Sequence, residues 1–145
     1  MLFIGGTGTI SSAPSELAVA RGMDVTLLNR GRSRRGQTVG AEVLSADIGD
    51  PQAVDGALGG REFDVIVQMV GFTPAQVQRD IDRFAGRTGQ YVFISSASAY
   101  QKPVLRLPIT ESTPLRNPHW QYSRDKIACE VLLAEAYRSR RFRSS

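Results

Sequence analysis

The feature that most constrains the fold is a glycine-rich turn that directly follows the apolar run Leu2-Phe3-Ile4. The turn reads Gly5-Gly6-Thr7-Gly8-Thr9-Ile10 and leads into a helical pattern. Glycine adopts the positive φ of a tight turn, and it has no side chain to keep a pyrophosphate from the backbone. The following helix presents unpaired N–H groups and its positive dipole end to such an anion. The stretch therefore predicts a phosphate-binding turn, although glycine-rich turns that bind nothing are also common.

The rest of the chain alternates short apolar runs with helical patterns. Four further strands are predicted at residues 25–28, 43–47, 65–67 and 91–94. Helices are predicted at residues 11–21, after Asp50-Pro51, after Thr73-Pro74 and at residues 121–137. Strands that alternate with helices indicate a parallel sheet, and wholly apolar strands are expected where both faces are covered. The sequence predicts an α/β fold, a doubly wound parallel sheet of about five strands with helices on both faces.

Size and composition indicate one ordinary soluble domain. The chain has 145 residues, of which 41% are hydrophobic and 22% charged, and no apolar run reaches membrane-spanning length. We expect a dinucleotide-binding domain at residues 1–138 and a polar arginine- and serine-rich tail at residues 139–145. Cys129 is the single cysteine, which excludes an internal disulfide and favours a cytoplasmic location; its apolar helical setting predicts a buried thiol.

The positive charge is local rather than spread over the chain. Two arginine clusters, at positions 30, 32, 34 and 35 and at positions 138, 140, 141 and 143, hold eight arginines, which exceeds the whole net charge of +4. This pattern favours a discrete anion site over a general nucleic-acid surface. We therefore do not expect a nucleic-acid partner.

Polar or small residues follow each predicted strand, where ligands bind in a sheet of this kind. They are Gly5 to Gly8, Asn29-Arg30, Asp47, Met69 to Gly71 and Ser95-Ser96. Residues 97–120 show no regular period and contain four of the seven prolines, which is typical of a functional loop. Within it, Trp120 is predicted to pack the loop onto the sheet edge. His119 is the only histidine, so nothing suggests a metal site.

Asn29 and Arg30 stand close to where a dinucleotide fold reads the adenine ribose. An acidic residue there would accept a hydrogen bond from the 2′-hydroxyl of NAD, whereas Arg30 can pair with a 2′-phosphate. The sequence therefore favours NADP, with NAD as the second choice. At least two of Arg32, Arg34 and Arg35 are expected to be solvated.

Tyr122 and Lys126 are four residues apart on the last predicted helix, so their side chains share a face. A tyrosine hydroxyl ordinarily has a pKa of about 10, and a nearby ammonium favours the phenolate needed for acid–base chemistry. Ser96, at a strand end, would donate a hydrogen bond to a substrate oxygen. Such a Tyr/Lys pair alone is more often simply exposed.

Taken together, these motifs resemble the short-chain dehydrogenase/reductase superfamily, specifically its extended NAD(P)-dependent epimerase/dehydratase branch. The resemblance rests on Gly5-Gly6-Thr7-Gly8-Thr9-Ile10, Leu28-Asn29-Arg30-Gly31, Ala46-Asp47-Ile48, Phe93-Ile94-Ser95-Ser96-Ala97-Ser98-Ala99-Tyr100 and Tyr122-Ser123-Arg124-Asp125-Lys126. It implies an oxidoreductase that exchanges hydride between nicotinamide and a carbinol/ketone carbon, with a nucleotide-sugar-like substrate and a homodimer through the last helix.

The resemblance also implies residue roles. Tyr122 is the acid–base, Lys126 favours its phenolate and holds the nicotinamide ribose, and Ser96 orients the substrate oxygen, with Ser98 the less favoured candidate. The residues implied to contact cofactor are Gly5, Gly8, Thr9, Ile10, Asn29, Arg30, Asp47 (at the adenine amino group), Ile48, Met69, Val70, Gly71, Tyr122 and Lys126. Alternatively, Asp47 is a loop acid, and Met69 and Val70 are strand-end core.

The chain departs from the family pattern in several places. Ser11 replaces the third glycine, which is expected to reduce the closeness of helix–strand packing but not cofactor binding. No asparagine occurs between Phe72 and Ser95 to complete a proton relay, and Ala97-Ser98 after Ser96 disfavours 4,6-dehydratase activity. Family members continue much further, so we expect a truncated or frame-shifted product, or only part of a longer protein, that lacks the substrate domain. The alternatives are a non-catalytic NAD(P) sensor, an RNA-binding member of the same fold, or an inactive fragment that binds cofactor only.

Overall fold

A computed structural model describes residues 1–31 and 38–139, which fold as strands alternating with helices. The strands are β1 (Leu2–Ile4), β2 (Thr26–Asn29), β3 (Glu42–Ser45), β4 (Phe63–Gln68) and β5 (Thr88–Phe93). The helices are α1 (Ser12–Ala20), α2 (Pro51–Leu58), α3 (Pro74–Phe84) and α4 (Gln121–Arg138), with a short 3₁₀ turn at Ala97–Ala99. Arg32, Arg34 and Arg35, and all of the predicted tail except Ser139, lie outside the described residues.

The five strands form one parallel sheet in the order β3-β2-β1-β4-β5. From β1 in the centre, the chain therefore adds β2 and β3 on one side. It then crosses to the other side of β1 and adds β4 and β5. In the register of the sheet, Ile4 pairs with both Leu28 and Gln68, and Gln68 pairs with Phe93. The carboxyl ends of these strands thus lie along one edge, and the order reverses at β1. The predicted doubly wound parallel sheet is confirmed.

Both faces of the sheet are apolar because both are covered by helices. Leu2 and Ile4 of β1 belong to a core shared with α2, α3 and α4, whereas Phe3 points to the opposite face and packs in a core with Ala18 of α1. Successive strand residues point to opposite faces, which is why β1 carries no polar residue at all.

Two helices begin with the predicted cap and proline. The Asp50 carboxylate accepts hydrogen bonds from the backbone N–H groups of Gln52 and Ala53, and Pro51 occupies the first helical position of α2. Thr73 and Gln76 form a reciprocal capping box at the start of α3. Because these caps satisfy backbone groups that a helix cannot pair internally, they fix where each helix starts.

Strand bounds and the buried face of α4 differ from expectation. β5 begins at Thr88 rather than residue 91 because Phe63 of β4 pairs with Thr88, and Ile94 lies beyond its end. Although Val131 is one of the apolar residues of α4, it is 52% exposed. The buried residues of α4 are instead Ser123, Lys126, Cys129 and Ala136. In the first half of α4, two of the buried side chains are polar: Ser123 bonds to a neighbouring hydroxyl group, and Lys126 bonds to backbone carbonyls.

Candidate functional site

The glycine turn has the geometry that its sequence predicts. Gly5 has φ +85°, and a Cβ added there would lie 2.7 Å from Cγ1 of Val70. A Cβ on Gly6 would lie 2.7 Å from Cδ2 of Leu27. A side chain at either position would force its neighbours to move, so the close approach of the turn to the strand ends requires glycine.

Ser11, at the position of the missing third glycine, closes this turn. Its hydroxyl accepts a hydrogen bond from the Gly8 N–H at 2.7 Å and donates to the Gly5 carbonyl at 2.8 Å, and the residue is 3% exposed. The serine therefore holds the turn through its side chain. The sequence comparison with the glycine pattern did not predict these two hydrogen bonds.

An open groove of about 520 Å³ begins at the turn and runs across the carboxyl ends of the strands. It is lined by Gly5, Thr7, Gly8, Leu28, Asn29, Arg30, Gly31, Ile48, Val70, Phe72 and Gln76. Six of the residues predicted to contact cofactor are thus brought together here: Gly5, Gly8, Asn29, Arg30, Ile48 and Val70. Phe72 and Gln76 were not predicted; Phe72 directly follows the strand-end run Met69 to Gly71, which is the signal that would have found it.

The other predicted cofactor residues flank the groove without lining it. Thr9 is exposed and Ile10 is 78% exposed on the turn. Met69 packs against the α1-side core, and Gly71 is buried. Asp47 is exposed, and its Oδ1 accepts the Gly49 N–H at 2.9 Å. Their proposed cofactor contacts remain predictions.

The two residues expected to read the adenine ribose are adjacent at one side of the groove. Asn29 Oδ1 accepts the Gly31 N–H at 2.7 Å, and Gly31 has φ +66°. This local bond fixes the amide of Asn29, while the Arg30 side chain is exposed. Of the two, Arg30 is thus available to pair with an anion.

Lys126 is a buried cation at the junction of three elements. It is 1% exposed, and its Nζ donates to the carbonyls of Gly71 at 2.7 Å and Ile94 at 2.8 Å. Those residues follow β4 and β5, so Lys126 joins α4 to both strand ends. Its Nζ also lies 4.5 Å from the centroid of the Phe93 ring. Burial lowers the pKa of Lys126 because it disfavours the charged form.

Tyr122 lies one helical turn before Lys126, and the Lys126 Nζ is 5.8 Å from its ring centroid. The spacing on α4 therefore places the pair together as predicted. The Tyr122 ring packs against Trp120, with centroids 4.8 Å apart, and lies 6.4 Å from the ring of Phe72. Trp120 is 56% exposed, so the prediction that it packs the loop onto the sheet edge is wrong. It stacks on Tyr122 because it directly precedes α4.

The two serines after β5 have different partners. Ser95 donates a very short hydrogen bond to Oε1 of Glu130 on α4. Ser96 caps the 3₁₀ turn, accepting the Ser98 N–H at 3.2 Å, and its hydroxyl lies 2.9 Å from that of Ser98. Ser95 is thus tied to α4 by a carboxylate, whereas Ser96 belongs to a cluster of hydroxyl groups.

A buried acid lies beneath the groove. Asp80 Oδ2 accepts hydrogen bonds from Gln68 Nε2 at 2.6 Å and from the Tyr91 hydroxyl at 2.7 Å. Gln68 Oε1 in turn accepts the N–H of Val70, which lines the groove. Burial raises the pKa values of both Asp80 and Tyr91. Asp80 lies three residues after the buried Val77, a helical spacing that would have indicated its burial.

Cys129 is fully buried on α4, and burial raises the pKa of its thiol to about 11. This confirms the predicted buried thiol.

Within residues 1–31 and 38–139, no three histidine, cysteine or acidic side chains gather in a way that would hold a metal ion. No helix in that same part of the chain is long and apolar enough to cross a membrane.

A parallel sheet with a glycine turn where the strand order reverses has the architecture of a dinucleotide-binding domain. The sequence model of the NAD dependent epimerase/dehydratase family matches residues 1–144. The chain belongs to this family, which confirms the resemblance to extended short-chain dehydrogenase/reductases. A comparison with curated proteins gave no significant match.

Solved structures share the fold at low sequence identity. A Brucella ovis UDP-glucose 4-epimerase in complex with NAD is 23% identical with a TM-score of 0.81, and covers 99% of this chain and 49% of its own. The Bifidobacterium longum enzyme in complex with NAD+ and UDP is 19% identical (TM-score 0.82; 95% and 49% covered). The Thermotoga maritima enzyme with UDP-glucose is 16% identical (TM-score 0.82; 97% and 52%). The chain thus spans about half the length of these structures.

Proposed function

We propose that this chain is the nicotinamide-binding half of an NAD(P)-dependent epimerase or reductase. Its reaction would exchange hydride between the nicotinamide and a carbinol/ketone carbon of a nucleotide-sugar-like substrate. One observation carries the proposal: Phe72 lines the groove that starts at the glycine turn, and its ring also lies 6.4 Å from that of Tyr122. Phe72 therefore lies between the groove at the glycine turn and the candidate acid–base.

When bound, the dinucleotide would accept or return the hydride; the protein must move the accompanying proton. We assign that proton to the hydroxyl of Tyr122. Lys126 supports this role in two ways. Its buried Nζ lies 5.8 Å from the centroid of the Tyr122 ring, and because carbonyls take two of its three N–H donors, one donor is left for the nicotinamide ribose. Ser96 would donate to the substrate oxygen.

The choice between NAD and NADP rests on opposing observations. The family description and the printed names of the Brucella and Bifidobacterium structures specify NAD and so do not support NADP as the first choice. The exposed Arg30 beside the groove is the residue that would pair with the 2′-phosphate of NADP. We propose that the cofactor is a nicotinamide dinucleotide. The solved structures named above favour NAD, whereas Arg30 is the one observation that favours NADP.

The substrate class follows from the relatives rather than from the site. The three solved structures are UDP-glucose 4-epimerases, which supports a nucleotide sugar as the substrate of the complete enzyme.

Two copies of the chain would associate through α4, where Val131 and Tyr137 are 52% and 58% exposed. We also propose a cytoplasmic location.

The test uses Trp120, the only tryptophan of the chain, which stacks on Tyr122. NADH and NADPH are titrated separately into the purified chain, and energy transfer from Trp120 to the reduced nicotinamide is followed. We expect saturable quenching that oxidised dinucleotide reverses. The same titrations are made with Arg30→Ala, which removes the exposed arginine beside the groove. Its matched control is Arg21→Ala, because Arg21 is an exposed arginine at the end of α1 that is far from the turn. A chain that unfolds cooperatively yet shows no saturable quenching would contradict the proposal.

A further inference from the structure

A chain of hydrogen-bonded side chains leads from the loop before α4 to the hydroxyl of Ser96. It consists of Asn117, Ser123, Ser98 and Ser96. Asn117 is 7% exposed and Ser123 is fully buried. Ser123 directly follows Tyr122 on α4, so the chain links the candidate acid–base helix to the candidate substrate-orienting serine.

The amide of Asn117 has a fixed orientation. Its Nδ2 donates to the Ser98 carbonyl at 2.8 Å, and its Oδ1 accepts the His119 N–H at 3.1 Å. The opposite orientation would set oxygen against a carbonyl and NH₂ against an N–H, so these two backbone groups decide it. Nδ2 also donates to Ser123 Oγ at 3.2 Å.

This orientation sets the order of the hydroxyl protons. Ser123 Oγ accepts from Asn117 and donates to Ser98 Oγ at 2.9 Å. Ser98 then has its own proton to donate to Ser96 Oγ, 2.9 Å away, which already accepts the Ser98 N–H. If Ser96 donated to Ser98 instead, either Ser98 Oγ would accept from both Ser96 and Ser123, or Ser123 Oγ would accept from both Asn117 and Ser98. In each case one hydroxyl proton has no acceptor among the described residues.

We propose that Asn117, acting through Ser123 and Ser98, orders these protons so that Ser96 keeps its own O–H as a donor for the substrate oxygen. This inference rests on the proposed function, because it assigns the direction of the hydrogen bond that Ser96 makes there. A preorganised donor stabilises negative charge that develops on a carbonyl oxygen during the reaction. Asn117, Ser123 and Ser98 are positioning residues, and only Ser96 contacts the substrate.

The order can be measured by NMR without turnover. The chain is labelled with ¹³C at serine Cβ and placed in mixed H₂O and D₂O, where a slowly exchanging hydroxyl splits its Cβ signal into two lines. We expect split signals for Ser123 and Ser98, whose protons are donated, and one averaged signal for Ser96, whose proton is free to exchange. A split Ser96 signal, or no splitting at Ser98 and Ser123, would overturn the proposal.

Two variants test the role of the chain itself. Asn117→Asp replaces the donor with an acceptor, so Ser123 should donate to the new carboxylate, Ser98 to Ser123 and Ser96 to Ser98. The Ser96 signal should therefore become split. Because a carboxylate facing the Ser98 carbonyl could prevent folding, Ser123→Ala is the second variant, and it should average the signals of both Ser98 and Ser96. A Ser98 signal that stays split in Ser123→Ala would refute the ordering. Ser112→Ala, in an exposed hydroxyl pair with Thr110, is the control and should change neither signal.

The outcome is separable from that of the proposed function. Dinucleotide titration through Trp120 tests the function, whereas the Cβ signals report proton order in the unliganded chain. Failure of cofactor binding with the expected Cβ pattern would reject the function and keep the order. Normal binding with a reversed pattern would reject the order alone.

Discussion

Replacing Ser11 with glycine restores the family pattern, and we expect the change to destabilise the chain. The hydroxyl of Ser11 accepts the Gly8 N–H at 2.7 Å and donates to the Gly5 carbonyl at 2.8 Å inside the glycine turn. Glycine removes both bonds. It also gives the unfolded chain more backbone freedom at a position that has a right-handed helical conformation here.

The magnitude follows from these losses. Two hydrogen bonds contribute about 1 kcal/mol each, and the extra backbone freedom of glycine costs about 0.5–1 kcal/mol. Ser11→Gly should therefore lower the free energy of unfolding by about 3 kcal/mol. Ser11→Ala should lower it by about 2 kcal/mol, because it removes the hydroxyl but keeps the backbone restraint.

Urea denaturation followed by circular dichroism measures both variants against the parent. With an m-value of about 2 kcal/mol/M, the Ser11→Gly midpoint should fall by roughly 1.5 M and that of Ser11→Ala by roughly 1 M. Equal stability of Ser11→Gly and the parent would refute the reasoning, since it would mean that the glycine turn holds its shape without the hydroxyl. A Ser11→Ala variant as stable as the parent would show that backbone freedom, and not hydrogen bonding, sets the effect.

Three further predictions follow from the site. Tyr122→Phe keeps the ring against Trp120 but removes the hydroxyl, so dinucleotide affinity should change less than about twofold while turnover of a full-length enzyme falls about 100-fold or more; turnover preserved at saturating substrate would remove the acid–base role. Arg30→Ala should weaken NADPH binding at least several-fold while leaving NADH binding nearly unchanged, and an equal loss for both would place Arg30 away from the 2′-phosphate. Burial raises the folded-state pKa of Asp80, so the protonated carboxyl stabilises the fold at low pH. This contribution is lost as the pH rises from the ordinary aspartate pKa, about 3.9, through the raised pKa. Urea midpoints across this range should decline more in the parent than in Asp80→Asn, and identical slopes would contradict the raised pKa.

The sequence predicts elements whose signals are local and apolar. The five strands and the helix starts after Asp50 and Thr73 all appear, because each depends on periodicity or on neighbouring residues. The site is predicted less completely. The glycines and Arg30 line the groove, as their order behind a strand indicates. In contrast, Gln68 bonds to Asp80 of α3, and Asn117 bonds to Ser98 and Ser123, only through tertiary contacts. Polar residues buried by mutual hydrogen bonds have no periodic signature, so their positions become visible only once the strands and helices are assembled.

Two buried side chains satisfy backbone groups near the candidate site. Ser11 satisfies an N–H and a carbonyl of the glycine turn. Lys126, on α4, satisfies the carbonyls of Gly71 and Ile94, which follow β4 and β5. Each side chain holds backbone that would otherwise have to be ordered on binding, which reduces the reorganisation that catalysis by fixed dipoles must avoid. Burial of the Lys126 ammonium is costly to the fold, and its hydrogen bonds to the two carbonyls offset part of that cost while they hold the strand ends in place.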